Sequence, residues 1–128
     1  MRSEKGITLI ELLVVVVIAG ILAAVAISAY TNYLVRARRA DAKTALEQLR
    51  ASQEMFRAER GSYSTNLTQL VTSWGVPNVS GDYSIVLNSA TATVFSGEAR
   101  PTTTRQTPDG SLFINQNGTK TPADKWAK

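Results

Sequence analysis

The spacing of apolar residues divides the chain into three stretches. From Ile7 to Ala29 apolar residues follow one another almost without interruption, and Glu11 is the only charged residue among them. From Tyr30 to Arg60 they recur at spacings of three or four positions, apart from gaps at 37–42 and 49–56, which is the spacing of one face of a helix. Beyond Gly61 the pattern changes to short strand-like runs separated by Gly, Pro and Asn. The pattern predicts a long helix followed by a small sheet.

The first stretch predicts a membrane-spanning helix. Its residues from 7 to 29 would extend about 35 Å at about 1.5 Å per residue, enough to cross a hydrocarbon core of about 30 Å. A cleavable secretory signal is the alternative, but its apolar part is usually about 7–15 residues long and ends at a small-residue cleavage site. Here the apolar run is longer, and Gly6, the small residue that resembles a cleavage point, comes before the run and not after it. We therefore expect the segment to stay with the protein.

The basic residues around this segment give an ambiguous orientation. Arg2 and Lys5 precede it, whereas Arg36, Arg38 and Arg39 follow it. Because the cytoplasmic side of a membrane protein carries the excess of Lys and Arg, a plain count would place the larger part of the chain in the cytoplasm.

The second stretch predicts an amphipathic helix that continues the first without a break, because no Gly or Pro occurs between residues 30 and 60. We expect one helix from about Ile7 to Arg60, ended by Gly61. Its predicted buried stripe consists of Tyr30, Tyr33, Leu34, Ala37, Ala42, Ala45, Leu46, Leu49 and Phe56.

The third stretch predicts a short helical turn and an antiparallel sheet of three to four strands. The helical turn falls in "TNLTQLVTSWG", and strands are predicted at Tyr83–Leu87, Thr91–Ser96 and Ser111–Asn115. Asn88–Ala90 is the predicted hairpin connection, Glu98–Gly110 a longer loop, and a short fourth strand follows the Asn117-Gly118 turn signal. A long helix packed on such a sheet makes a small α+β domain.

Composition argues against most chemical functions. The chain has no cysteine and no histidine, so the commonest general acid–base group is missing, and so are the usual ligands of zinc. Asp109 and Asp124 are too few to form the acidic cluster that a calcium ion requires. We expect no enzyme activity, no cofactor and no metal site.

The net charge of +4 is modest, and residues 100–128, with five bases and two acids, contribute +3 to it. A weak patch for DNA or another partner could form beside Trp126 from Arg100, Arg105, Lys120, Lys125 and Lys128. Phosphate binding needs clustered bases, and these are scattered along the sequence. DNA is therefore not the expected partner.

The segment "KGITLIELLVVVVIAGILAAVAISAY" resembles the amino-terminal region of type IV pilins and of the related pseudopilins of type II secretion. The resemblance consists of a short basic leader ending in Gly6, the hydrophobic Ile7, Thr8-Leu9-Ile10, Glu11 and the long apolar helix. The segments "YLVRARRADAKTALEQL" and "DGSLFINQNGTKTPADKW" are also similar to one subgroup of pilins and minor pilins.

The resemblance implies a life cycle. A prepilin peptidase would cleave between Gly6 and Ile7 and methylate the new amine, after which an inner-membrane assembly platform would polymerise the subunit into a homopolymer or mixed filament. Three segments are implied: a leader 1–6, a transmembrane or filament-core helix 7–29, and a globular pilin domain 30–128 outside the cytoplasm. The precursor would cross the inner membrane once, and the product would be a surface pilus that serves adhesion, motility or a related role.

The sequence departs from the pilin pattern at three points. Ile7 replaces the phenylalanine that usually follows the cleavage site, Ser28 stands where many pilins have a helix-breaking proline, and the two cysteines that often close the carboxy-terminal loop are missing. Because Ser28 keeps its N–H, we expect a more continuous helix, with any melting centred on Gly20.

Glu11 is the residue that most needs an explanation. A carboxylate in a hydrocarbon layer costs about 2.5–3.5 kcal/mol on insertion scales, and the apolar stretch contains no base. Cleavage after Gly6 would create a positive amine at Ile7, and the amine of a neighbouring subunit is the expected partner. Glu11, together with Thr8, is therefore predicted to act in assembly. The alternative is that Glu11 lies shallow and reaches the headgroups.

Three functions remain open from the sequence. The first is a structural subunit of a type IV pilus, and the second is a pseudopilin of type II secretion. The third, from a different class, is a membrane-anchored enzyme or binding module.

Overall fold

A computed structural model describes residues 5–127 of the chain. Most of the implied leader (residues 1–4) and Lys128, one of the candidate patch residues, lie outside the described residues. The helices are α1 (Leu9–Arg60), α2 (Leu67–Trp74) and α3 (Ala123–Ala127), and a single 3₁₀ turn covers Thr107–Asp109. The strands are β1 (Val79–Ser80), β2 (Tyr83–Ala90), β3 (Phe95–Pro101), β4 (Leu112–Asn115) and β5 (Lys120–Thr121).

Helix α1 confirms the predicted continuous helix, which begins two residues later than expected. Gly20 and Ser28 both have helical backbone, so the helix continues through both positions. The helix ends where Gly61 adopts a φ of 80° and its N–H donates to the Arg57 carbonyl at 2.7 Å. A positive φ suits glycine, which has no Cβ to clash with the backbone.

The chain forms two compact units, which divide between Leu34 and Val35. In the first unit, residues 5–33 are all exposed. Its apolar segment belongs to a helix long and apolar enough to cross a membrane, with a mean hydropathy of 3.0 and no buried residue in the most apolar window.

The second unit contains a five-stranded antiparallel sheet in the order β1-β2-β3-β4-β5. The part of α1 that belongs to this unit packs on the inner face of the sheet, where Leu46 and Leu49 are fully buried. Gly97 of β3 allows this close approach, since a Cβ there would lie only 2.5 Å from Leu49 Cδ2. The remaining buried apolar core includes Tyr83, Ile85, Ala99, Leu112 and Ile114.

The structure corrects part of the predicted buried stripe. Ala42, Ala45, Leu46, Leu49 and Phe56 are buried as expected. By contrast Tyr30, Tyr33 and Ala37 are exposed, and Leu34 is half-buried. The two tyrosines and Leu34 belong to the first unit, so the sheet that buries the stripe is not part of their unit.

The structure also corrects the strand boundaries. The β2–β3 connection covers residues 91–94 instead of Asn88–Ala90, because β2 continues through Ala90 after an irregularity in register at 87–89. Strand β3 extends to Pro101 into the predicted loop, and proline is tolerated at this strand end because it needs no ladder N–H. Strand β1 was not predicted, and β5 is the expected short strand after Asn117-Gly118.

The predicted helical turn in the third stretch is α2. The side chain of Asn66 caps it by accepting a hydrogen bond from the Thr68 N–H at 2.9 Å. Gly75 ends it with a φ of 69°. Both are ordinary helix-end signals, and both are readable from the sequence.

Candidate functional site

Thr8 and Glu11 form a reciprocal cap at the start of α1. The Thr8 N–H donates to Glu11 Oε2 at 2.9 Å, and the Glu11 N–H donates to Thr8 Oγ1 at 3.3 Å. This is a capping box, in which two residues three positions apart satisfy two N–H groups that have no partner within the helix. Thr8 and Glu11 are thus coupled locally, and Glu11 has a hydrogen-bond partner within its own chain.

Gly6 and Ile7 lie just before α1 and outside the helix. Both are exposed, and a Cβ added at Gly6 would meet no atom within 4 Å. The peptide bond between them therefore lies in open, non-helical backbone.

Gly20 and Ser28 lie further along α1. The Ser28 hydroxyl lies 3.5 Å from the Ala24 carbonyl oxygen, and the Thr31 hydroxyl donates to the Ile27 carbonyl at 2.8 Å. Such bonds to the preceding turn satisfy a hydroxyl inside an apolar segment.

The basic residues near the end of the chain do not form one carboxylate-free patch among the described residues. Four of them form ion pairs, each with a different carboxylate: Arg100 with Glu98, Arg105 with Asp82, Lys120 with Glu47, and Lys125 with Asp109. Lys120 Nζ also lies 5.1 Å from the ring centre of Trp126.

Asp82 is a buried carboxylate that binds two arginines. Arg105 donates from Nε and Nη2 to the two carboxylate oxygens, each at 2.9 Å, and Arg38 Nε lies 3.0 Å from Oδ2. The hydrogen bond from Arg105 lowers the pKa of Asp82 below its ordinary value. Arg38 is thus paired with a carboxylate of its own domain.

Asp109 connects α1, β2 and α3. Its carboxylate accepts two hydrogen bonds from Arg39, one from Nε at 2.8 Å and one from Nη2. It accepts a third from the Tyr83 hydroxyl at 3.0 Å. Lys125 Nζ lies 3.7 Å away. Burial raises the pKa of Asp109, but the bonds from Arg39 and Tyr83 outweigh it and hold that pKa below the ordinary value. Burial raises the pKa of Tyr83 to about 12.

Glu98 lies on the outer face of β3, with its side chain only 8% exposed. Arg100 donates to it from Nε at 3.3 Å and from Nη2 at 3.0 Å, and Asn88 donates at 2.8 Å. Burial raises the pKa of Glu98, and hydrogen bonds from Arg100, Ser111 and Asn88 more than offset this effect, so that the pKa is lowered overall.

Sequence reasoning missed the ion pairs that these three carboxylates form. Asp82 and Asp109 each sit next to a glycine, at positions 81 and 110, which reads as ordinary turn chemistry. Arg39 and Asp109 are 70 residues apart, so no local spacing could join them. Glu98 was placed in a loop, and only the correct limits of β3 would have put it on a sheet face.

Two family models match the chain. The model described as a prokaryotic N-terminal methylation motif matches residues 1–27, and the model described as type IV minor pilin ComP, DNA uptake sequence receptor, matches residues 28–110. The second match covers more than half of the chain. Together with the helix-on-sheet fold, the matches define the chain as a pilin. It belongs to the type IV pilin family matched by the minor pilin ComP model.

Individual relatives agree with this assignment. The chain is 37% identical over 95 residues to the type IV wide pilus major component PilA4 of Thermus thermophilus, covering 72% of this chain and 70% of that protein. It is 45% identical over 61 residues to the type IV major pilin PilA of Myxococcus xanthus, covering 48% of this chain and 28% of that protein. A fimbrial protein of Moraxella nonliquefaciens is matched over 34% of its length. The chain therefore spans only about a third of the length of these last two relatives.

Solved structures show the same fold. A type IV pilin from Shewanella oneidensis is 28% identical, with a TM-score of 0.56 over 70% of this chain and 92% of that one. The Neisseria meningitidis minor pilin PilV has a TM-score of 0.56 at 17% identity over 70% of this chain and 86% of that one. Since the matched models and named relatives are pilins, the pseudopilin alternative is not favoured.

Proposed function

We propose that this chain is a structural subunit of a type IV pilus. The precursor is held in the inner membrane by α1, is cleaved between Gly6 and Ile7, is methylated on the new amine and then polymerises with other pilin subunits. The observation that carries the proposal is the N-terminal methylation motif over residues 1–27, joined to an apolar segment in which residues 5–33 are all exposed. Such a segment needs lipid before assembly and other subunits afterwards.

Glu11 is the assembly residue in this proposal. In the single chain its carboxylate accepts the Thr8 N–H at 2.9 Å, so the capping box lowers the cost of holding a carboxylate in lipid before assembly. A carboxylate has about four acceptor sites, so this bond leaves room for a cation. The Ile7 amine of a neighbouring subunit supplies that cation in the apolar core of the filament, where an unpaired charge is strongly disfavoured.

Substitutions at Glu11 test the proposal. We expect Glu11→Ala and Glu11→Val to be inserted and cleaved normally but to yield few or disordered filaments, because the Ile7 amine then lacks its acceptor. Glu11→Asp should retain part of the yield and Glu11→Gln less. The measurement compares processed subunit in membranes with sheared filaments, in a strain lacking the native gene. Filament yield from Glu11→Ala equal to that of the unchanged chain would refute the proposal.

A second candidate function, DNA binding, is favoured by one observation. The family model over residues 28–110 is described as a DNA uptake sequence receptor. The chain also presents exposed arginines at one end of its sheet, Arg100 and Arg105, with side chains 56% and 62% exposed. The test is retention of duplex DNA by the full chain in detergent at several salt concentrations. Binding through phosphates weakens steeply with salt, and retention that does not change with salt would exclude this function.

A further inference from the structure

Arg100 and Arg105 are both exposed arginines that bind a buried carboxylate. Each guanidinium is more than half exposed, yet each is bound through Nε and Nη2 to a carboxylate that is less than one-tenth exposed. In an ordinary surface ion pair both side chains move freely, and the pair contributes little to the stability of the protein. Here one partner of each pair is buried, so each arginine is anchored at its charged end.

The two carboxylates are themselves fixed by further donors. Asp82 also binds Arg38 at 3.0 Å, and Glu98 also accepts from Asn88 at 2.8 Å. Neither carboxylate can rotate without breaking a second contact. The planes of the two guanidinium groups are therefore held in place by the fold, with two of the five N–H groups of each arginine engaged.

Both anchored arginines lie at the same end of the β2–β3 ladder. Arg100 pairs with Ser84, two residues after Asp82, and the Thr102 N–H donates to the Asp82 carbonyl at 2.8 Å. The other N–H groups of each arginine do not contact the carboxylate, and they can donate to a ligand at the exposed surface. Donors of this kind, fixed before binding, suit the oxygens of a phosphate, which arginine binds with a planar fork.

We propose that Asp82 and Glu98 are positioning residues that hold Arg105 and Arg100 as phosphate ligands for DNA. The inference rests on the DNA-binding function proposed above. It reverses the simple expectation that the two carboxylates weaken a basic surface by cancelling its charge. Removing either negative charge makes the protein more basic, yet it should weaken DNA binding, because the arginine then loses its fixed orientation.

Charge-preserving variants provide the cleanest test. The full chain in detergent is titrated with a labelled pool of short duplexes of randomised sequence. Arg100→Lys and Arg105→Lys keep the charge but lose the fork, and each should weaken binding about fivefold. Arg60→Lys is the matched control. Arg60 is exposed and lies over the Phe56 ring at 5.8 Å, with no carboxylate pair among the described residues, and binding should stay unchanged.

Two further readouts separate orientation from folding and from charge. Arg105→Ala should lower the salt slope of binding by about one phosphate contact, whereas Arg105→Lys should leave that slope unchanged. Asp82→Asn and Glu98→Gln should also weaken binding, with tryptophan fluorescence used to confirm that each variant is folded. If either one fails to fold, the two lysine variants decide.

The outcomes are distinct. Lysine variants that bind as well as the unchanged chain, or tighter binding by folded Asp82→Asn and Glu98→Gln, would overturn the positioning role while DNA binding itself stands. No salt-dependent binding by the unchanged chain would overturn both the positioning role and the DNA-binding function.

Discussion

The two units of the chain handle charge in opposite ways. Residues 5–34 contain one carboxylate within an exposed apolar helix, and it is satisfied by Thr8, three residues away. Residues 35–127 bury three carboxylates, those of Asp82, Glu98 and Asp109. Asp82 and Asp109 bind arginines that are distant in the sequence, and Glu98 binds an arginine of its own strand. The first unit leaves its apolar surface to be covered from outside. The second covers its own core and completes its own ion pairs.

This difference indicates where substitutions should act. Changes to buried residues within 35–127 should alter the stability of a single subunit. Changes within the apolar helix should leave that stability unaltered and act on insertion and assembly. Both tryptophans, Trp74 and Trp126, lie in the second unit, so fluorescence of the full chain in detergent reports on that unit alone.

The largest effect on stability is expected at Asp109. Asp109→Ala leaves Arg39 buried without its carboxylate, and breaking a buried ion pair in this way typically costs about 3–5 kcal/mol. The free energy of unfolding is measured by urea titration with tryptophan fluorescence. The exposed Asp124 is the matched control, and Asp124→Ala should change little. Equal effects of the two substitutions would contradict the role given to Asp109.

A core substitution and its counterpart in the apolar helix compare the two units directly. Leu49→Ala, at a fully buried position, should lower the free energy of unfolding by about 3 kcal/mol. Leu22, 64% exposed in the apolar helix, should tolerate Ala with no change in the same titration. A destabilisation by Leu22→Ala as large as that by Leu49→Ala would show that the stability of the second unit does not come from its own core alone.

Acid should destabilise the second unit through its buried carboxylates. The pKa values of Asp109, Glu98 and Asp82 are all lowered in the folded chain. Their contribution is therefore fully present above the unfolded values of about 3.9–4.3 and is lost as the pH falls through the folded values. We expect a melting temperature that is steady near neutral pH and falls below about pH 4. Asp109→Ala should flatten this acid dependence, and an acid slope unchanged in that variant would contradict the assignment.

The smallest effect is expected at the cap of α2. Asn66→Ala removes the acceptor for the Thr68 N–H and should lower the free energy of unfolding by about 1 kcal/mol. Asn66→Asp keeps an acceptor at this position and should restore most of the loss. A loss of equal size in both variants would mean that the side chain does not act as a cap.

Local signals explain why much of the fold could be predicted from the sequence. The apolar run, the three- and four-residue spacing around Leu46 and Leu49, and the Asn117-Gly118 turn are all properties of neighbouring residues. The exposure of Tyr30 and Tyr33 could not be predicted from that spacing, because periodicity shows that a helix has an apolar face without showing where its packing partner ends. The β2–β3 connection was placed too early because Asn88 and Ser89 read as turn residues, whereas β2 continues through them to Ala90.

The candidate site divides in the same way. Thr8 and Glu11 stand three residues apart, so their coupling follows from the spacing of a capping box. The pairing of Arg105 with Asp82 spans 23 residues, and that of Arg39 with Asp109 spans 70. Counting bases along the sequence could not reveal that carboxylates hold most of them, because those contacts exist only once the sheet has formed.

The central claim is that Glu11 gains a second partner on assembly, the Ile7 amine of a neighbour, beside Thr8 of its own chain. The most direct test is a helical reconstruction of purified filaments by electron microscopy, at a resolution that shows the Glu11 side chain and the mature amino terminus. The account predicts a chain beginning at Ile7, with its amine within about 4 Å of a Glu11 carboxylate oxygen of an adjacent subunit. An amine remote from every Glu11, or a chain that keeps residues before Ile7 in the filament, would contradict it.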